Sequence, residues 1–194
     1  MKLNTTVEGE LPVGQKPDVA VIATGALPRC ASFEGAAGVA SAYDVLMNKA
    51  AGVGQRVVVI GSSGVGIDVA LYLMEKSGRQ VTVVEQEEEV GGELNEFLRR
   101  HTLGMAQEKG IEFRTGWKVV KATRDRVWAK TNAGCEELGC DTVVSACGFE
   151  SREVVGLEKM LEGKGIAVRR IGSAVAAGQI FEATQEGFWA GVEI

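Results

Sequence analysis

Short apolar runs alternate with longer stretches of helical spacing, and this alternation organises the chain. Residues 18–23, DVAVIA, form an apolar run closed by Thr24-Gly25, which predicts a buried strand ending in a turn. Residues 41–49, SAYDVLMNK, fit a short helix with Ser41 as N-cap and Asp44 at its third helical position. The run at 56–60 predicts a strand that passes through small residues into an apolar helix over 64–77, ended by Gly78. A further strand, QVTVVE at 80–85, follows at once. Strand, loop, helix and strand within roughly 30 residues make a βαβ unit, which requires a parallel pair and a right-handed crossover.

The polar loop QEEEVGGELN leads to a helical stretch at 96–109 that stops at Gly110. Residues 111–131 alternate in the manner of antiparallel strands, with turns near Thr115-Gly116 and Asp125. Residues 141–148, DTVVSACG, repeat the form of 18–25, DVAVIATG, and residues 180–194 again place apolar side chains at helical spacing. The two Asp-strand-Gly copies bracket the βαβ unit, so the expected class is α/β, with one nucleotide module inserted between two arms of another.

Composition narrows the partners. With 194 residues, 45% hydrophobic and 24% charged, the chain can build one sizeable core or two small ones. A net charge of -5 and a pI near 5.1 offer no counter-charge to a phosphate backbone, so nucleic acid is not expected as a partner. No apolar run approaches the roughly 20 residues of a membrane span, and MKLNTTVEGELPVG lacks a signal-peptide core. A cytoplasmic protein without a membrane partner is the expectation. Cys30, Cys135, Cys140 and Cys147 are not spaced as CxxC, and only His101 could assist them, so no metal site is expected and the thiols read as reduced, buried small residues.

The loop at 61–66 carries the candidate chemistry. In a dinucleotide-binding loop the first glycine makes the turn, the second lets the backbone approach the pyrophosphate, and the third lets helix and strand pack closely. Here the pattern is Gly61-x-Ser63-x-x-Gly66, with Ser63 at the second glycine. The candidate cofactor-binding residues are Gly61, Ser62, Ser63, Gly64, Val65 and Gly66. Glu85, at the end of the next strand, stands where a carboxylate accepts hydrogen bonds from an adenine ribose while the pyrophosphate meets the helix N-terminus. No lysine or arginine lies between Arg79 and Arg99, and Glu87, Glu88 and Glu89 follow closely, which favours NAD(H) over NADP(H). The competing reading is a βα turn without a ligand and a solvated acid at a strand end. A GxSxG elbow is rejected because position 65 is valine, and the Tyr72/Lys76 pair lies on the wrong helix for a short-chain dehydrogenase.

In order, DVAVIATGALPR, VVVIGSSGVGIDVALYL, VTVVEQ, DTVVSACG and IGSAVAAGQIFEATQEGFWAG resemble the carboxy-terminal flavin and nicotinamide module of the NADH:flavin oxidoreductases. That group includes 2,4-dienoyl-CoA reductase, 2-enoate reductase and trimethylamine dehydrogenase. The resemblance implies a Rossmann-like FAD/NAD(P)-binding fold, a parallel sheet with helices plus a small antiparallel β element. It implies an FAD domain interrupted by an NAD(P) domain, here 1–50 and 136–194 around 51–135. It also implies an amino-terminal barrel with FMN and an iron–sulfur cluster, which this sequence does not include, so a fragment unable to turn over alone is expected. Thr24-Gly25 matches the segment passing close to FAD, Gly148 the turn near the nicotinamide nucleotide, and Gly172-Ser173 a Gly-Asp that contacts the flavin's ribityl or phosphate region. The implied activity is hydride transfer from NADH to FAD and on to the barrel, with no side chain here acting as acid, base or nucleophile. Ser63 and Ser173 keep open a non-catalytic ADP-binding or structural remnant domain. Terminal acceptor and oligomeric state stay open, as does whether Met1 is the natural start.

Overall fold

The computed structural model describes residues 2–7, 11, 16–50, 52–75 and 78–194. The end of the predicted helix at residues 76–77 lies outside the described residues. The chain divides into two units, one formed by Met1–Leu27 with Phe149–Ile194 and the other by Pro28–Gly148.

The central strands of the second unit's parallel sheet are valine-rich because they are covered on both sides. In chain order it contains β3 (Ala40–Ser41), α1 (Ala42–Leu46), β4 (Arg56–Ile60), α2 (Gly64–Met74), β5 (Gln80–Val84), α3 (Glu96–Glu108), β6 (Glu112–Arg114), β7 (Lys118–Ala122), β8 (Arg126–Thr131), β9 (Gly134–Gly139) and β10 (Thr142–Ser145). Five strands form one sheet in the order β3-β10-β4-β5-β6, and every neighbouring pair is parallel. Odd positions of β4 and β5, Val57, Val59, Val81 and Val83, pack with Ala42 and Val45 of α1, Ile67, Val69, Ala70 and Leu73 of α2 and Ala106 of α3. Val58, Ile60, Val84 and Val143 face the other way and pack with Trp117, Ala122, Val127 and Ala129. That second cover is the antiparallel sheet β7-β8-β9.

The caps follow the sequence. Ser41 Oγ accepts from Asp44 N at 3.0 Å, and Asn95 Oδ1 accepts from Leu98 N at 2.9 Å, so each fills a first-turn donor. The expectation of antiparallel strands over 111–131 needs a correction. β6 is a parallel edge strand paired with β5, because α3 carries the chain back across the sheet before the antiparallel element begins at β7.

The first unit holds β1 (Val19–Ile22), β2 (Ala26–Pro28), β11 (Phe149–Ser151), α4 (Val155–Gly163), β12 (Ala167–Arg170) and α5 (Ile180–Val192). β1 and β12 pair in parallel, and β2 pairs with β11. Ile22, Val154, Leu161, Ile166 and Ala174 form its core. The unit boundaries differ from those expected at 50/51 and 135/136. Residues 28–50 and 136–148 join the second unit because β3 and β10 hydrogen-bond into the sheet of β4. Among the described residues, no helix is long and apolar enough to cross a membrane.

Candidate functional site

The glycine loop leaves β4 and enters α2 at the carboxyl edge of the parallel sheet. Gly61 has φ 101°, and a Cβ there would stand 2.7 Å from the Ala146 carbonyl oxygen. At Gly66 a Cβ would stand 2.1 Å from the Gly61 oxygen, so the first turn of α2 rests directly on the loop. The Gly61 N–H donates to Val84 O at 2.9 Å and the Ala146 N–H to Ile60 O at 2.8 Å, which ties the loop to its neighbours on both sides. Ser63 has φ −59° and ψ 170°, a backbone conformation open to any residue, and its Oγ donates to Ala146 O at 3.5 Å. Val65 packs against the core beneath α2.

Glu85, just past β5, closes on this loop. Its Oε2 accepts from Ser62 N at 2.7 Å and from Ser62 Oγ at 2.8 Å, while Oε1 accepts from Glu87 N at 3.1 Å. Ser62, 2% exposed, also accepts from Gly91 N at 3.3 Å. Gly64 N, in the first turn of α2, donates to Glu93 Oε1 at 2.9 Å. Arg99 Nε donates to Val90 O at 2.6 Å and its guanidinium pairs with Glu89. Ser62, Ser63, Gly91, Gly92 and five acidic residues, Glu85, Glu87, Glu88, Glu89 and Glu93, line a cleft of about 540 Å³.

Gly148 follows β10, the strand beside β4, with φ 86°, and its carbonyl accepts from Arg29 N at 2.9 Å. In the first unit, Thr24-Gly25 follows β1 and Gly172-Ser173 follows β12. The register Ile22↔Arg170 and the Ile171 N to Ile22 O bond of 3.1 Å bring both turns to the same end of the pair. Gly25 has φ 74° and Gly172 φ 60°. The predicted residues thus form two groups: Gly61–Gly66, Glu85 and Gly148 in the second unit, and Thr24, Gly25, Gly172 and Ser173 in the first.

Sequence reasoning missed two carboxylates. Glu93 reaches Gly64 because Gly91, at φ 64°, bends the acidic segment back over the loop; the Gly91-Gly92 pair was the available signal. Glu186 of α5 accepts from Gly172 N, and nothing in the spacing announces it. Two shifted titrations lie away from this loop. At the amino end of β10, burial pushes the Cys140 thiol up to about 11, and Arg56 hydrogen-bonded to Asp141 holds that carboxyl below its usual range. Among the described residues, no group of His, Cys, Asp and Glu is arranged to hold a metal ion.

Comparison with known proteins agrees with this geometry. The sequence profile of the family described as pyridine nucleotide-disulphide oxidoreductase matches residues 4–181. NADH oxidase of Thermoanaerobacter brockii is 34% identical over 196 residues, covering 97% of this chain and 30% of its own length. Bilirubin reductase of Mediterraneibacter gnavus is 33% identical over 193 residues, covering 98% of this chain and 30% of its own length. A solved 2-naphthoyl-CoA reductase superposes with a TM-score of 0.82 at 29% identity, over 92% of this chain and 27% of that one. The chain therefore spans about 30% of the length of the curated relatives it matches. It belongs to the pyridine nucleotide-disulphide oxidoreductase family, as a Rossmann-like FAD/NAD(P)-binding module of the flavin-dependent oxidoreductases.

Proposed function

We propose that the second unit binds NAD(H) and the first unit contributes to an FAD site, so that the chain serves hydride transfer from NADH to FAD. The observation that carries the reading is Glu85, held by two donors of Ser62 beside a loop whose Gly61 and Gly66 admit no side chain. When bound, the nicotinamide supplies a hydride and the flavin takes it up. The chain's own residues orient and select. Glu85 Oε2 is filled by its two Ser62 donors, while Oε1, which accepts from Glu87 N alone, keeps a lone pair for a ribose hydroxyl, and the Gly64 N–H stands at the positive end of α2, where a pyrophosphate is favoured. Glu87, Glu88 and Glu89 repel a 2′-phosphate, which selects NAD(H) over NADP(H). Gly148 flanks the nucleotide, while Thr24, Gly25, Gly172 and Ser173 are the turns assigned to the flavin.

The onward acceptor is assigned to an FMN-containing barrel with an iron–sulfur cluster, outside this sequence. By itself the chain is expected to bind nucleotide without turnover. A second reading, a non-catalytic ADP-binding domain, draws on the first unit: Ser173 supplies no carboxylate and Glu186 already holds the Gly172 N–H. In the protein that carries the flavin, bleaching by NADH supports the reductase, and flavin that NADH leaves oxidised supports the ADP-binding domain.

The direct test is calorimetric titration of the chain and of Glu85→Ala with NADH and NADPH. Loss of hydrogen bonds to a charged group at this half-buried position should weaken NADH about tenfold and narrow the preference over NADPH. Unchanged affinity for both would show that Glu85 does not read the ribose.

A further inference from the structure

The anion position at the start of α2 already has a carboxylate on it. Gly64 N donates to Glu93 Oε1 at 2.9 Å, and the N-cap residue Ser63 makes no side-chain cap bond. The first-turn amides of a helix lack partners within it and carry its positive end, so an ionised carboxylate there is electrostatically favoured. The placement is built by the fold. Gly91 N binds the buried Ser62 hydroxyl, Leu94 N donates to Gly91 O at 2.9 Å, and the Leu94 side chain packs close over Gly64. These contacts bring residue 93 over the loop.

We propose that Glu93 is an internal competitor for the Gly64 amide, so that a dinucleotide binds only as Glu93 leaves it; this rests on the dinucleotide reading of the second unit. One N–H cannot serve a carboxylate and a phosphate oxygen together at full strength, and two anions within contact distance repel. Glu93 also has allies. Glu85, Glu87, Glu88 and Glu89 line the same cleft, and Arg99 beside them is already paired with Glu89. A pyrophosphate with its two negative charges therefore enters a field of its own sign.

Two consequences follow from the charge alone. Removing the Glu93 charge should strengthen binding rather than weaken it, although the residue lines the cleft. Added salt should also strengthen binding to the wild-type chain, because screening relieves the repulsion, whereas a phosphate site built from lysines and arginines loses affinity in salt.

The experiment is calorimetric titration of NADH into the wild-type chain, Glu93→Gln and Glu93→Ala, at about 20 mM and about 200 mM sodium chloride, Debye lengths of roughly 20 and 7 Å. Glutamine keeps the acceptor oxygen and the side-chain length while removing the charge, and alanine removes both. Circular dichroism checks that each variant is folded, and the alanine variant stands in if glutamine disturbs the loop. The expected result is binding about threefold to tenfold tighter in Glu93→Gln at low salt, a smaller gain at high salt, and wild-type affinity that rises with salt. The proposal is overturned if neither variant binds more tightly than the wild type, or if wild-type affinity falls as salt is added. If only Glu93 variants bind NADH, the competitor is strong and the proposal stands. If folded wild type and both variants bind neither NADH nor ADP, the dinucleotide reading itself falls and takes this inference with it. A Glu85→Ala chain that weakens as expected beside an unresponsive Glu93→Gln removes the inference alone.

Discussion

Gly66→Ala isolates the physical content of the glycine loop. The added Cβ would sit 2.1 Å from Gly61 O and 3.0 Å from Gly61 C, against backbone that cannot rotate away. A carbon and a carbonyl oxygen settle no closer than about 3.3 Å, so α2 must move outward by roughly 1 Å. That helix buries Ile67, Val69, Ala70 and Leu73 against Val57 and Val59, and the shift opens this packing. Overfilling a packed site costs about 1–3 kcal/mol, and a backbone obstacle belongs at the upper end of that range. Alanine recovers about 1 kcal/mol of helix propensity, which leaves a net loss of about 2 kcal/mol. Gly104→Ala is the control, inside α3 with nothing within 4 Å of its Cβ, and it should gain about 0.5–1 kcal/mol. Urea denaturation followed by tryptophan fluorescence reads the difference, since Trp117 is 7% exposed in the core beneath the same sheet. Equal stability of the two variants would refute the close-packing argument.

Two further outcomes follow from burial and from the path of the chain. Burial holds the Cys140 thiol protonated, up to about 11, while Cys30 and Cys135 are exposed; alkylation at pH near 8 should label those two and reach Cys140 only on unfolding, which peptide mass spectrometry would show. By the same shift, the stability contributed by Cys140 is complete below the ordinary thiol value of 9.0 and declines as pH rises to about 11, so early labelling of Cys140 would contradict its burial. Residues 28–148 should fold alone, because Arg29 N donates to Gly148 O at 2.9 Å and the two ends of the unit are thus side by side. A thermal transition by circular dichroism checks this, and an excised piece without one would refute it.

The parts that could be read from the sequence are those where one chemical demand dominates. β4 declared itself because a strand covered on both faces has to be apolar at every central position, and Val57–Ile60 is. α1 was bounded by the Ser41 cap and β5 by the turn at Gly78, with φ 82°. The direction of β6 is not legible, because Glu112–Arg114 shows the same short alternation whether its neighbour runs with it or against it, and only the crossover through α3 sets the direction. β9, GCEELG, is almost wholly exposed and has no apolar face to announce it. β12 is no clearer, with Arg169 and Arg170 at its end turned to solvent in ion pairs with Glu193 and Glu158. The partners of Gly64 and Gly172 depend on where a loop and helix α5 lie in space, which no local spacing encodes.

Ser63 shows why a motif is better judged by geometry than by letters. Two glycines of the loop meet a steric demand that only glycine satisfies, with φ 101° and a carbonyl 2.7 Å away at Gly61, and a carbonyl 2.1 Å away at Gly66. Ser63 sits at φ −59°, where a side chain costs nothing, and its hydroxyl turns towards Ala146 O. Its replacement of glycine therefore removes no requirement of the turn or of helix packing. The same reasoning accounts for the repeated DVAVIATG and DTVVSACG. β1 and β10 lie in different units, yet each is a parallel strand that the chain leaves by a sharp turn, at Gly25 with φ 74° and at Gly148 with φ 86°. Ligands of open parallel sheets bind outside the carboxyl ends of the strands, so both units present glycine turns at the edge where a nucleotide is expected. One backbone problem, solved twice by the same residue types, leaves the repeat in the sequence.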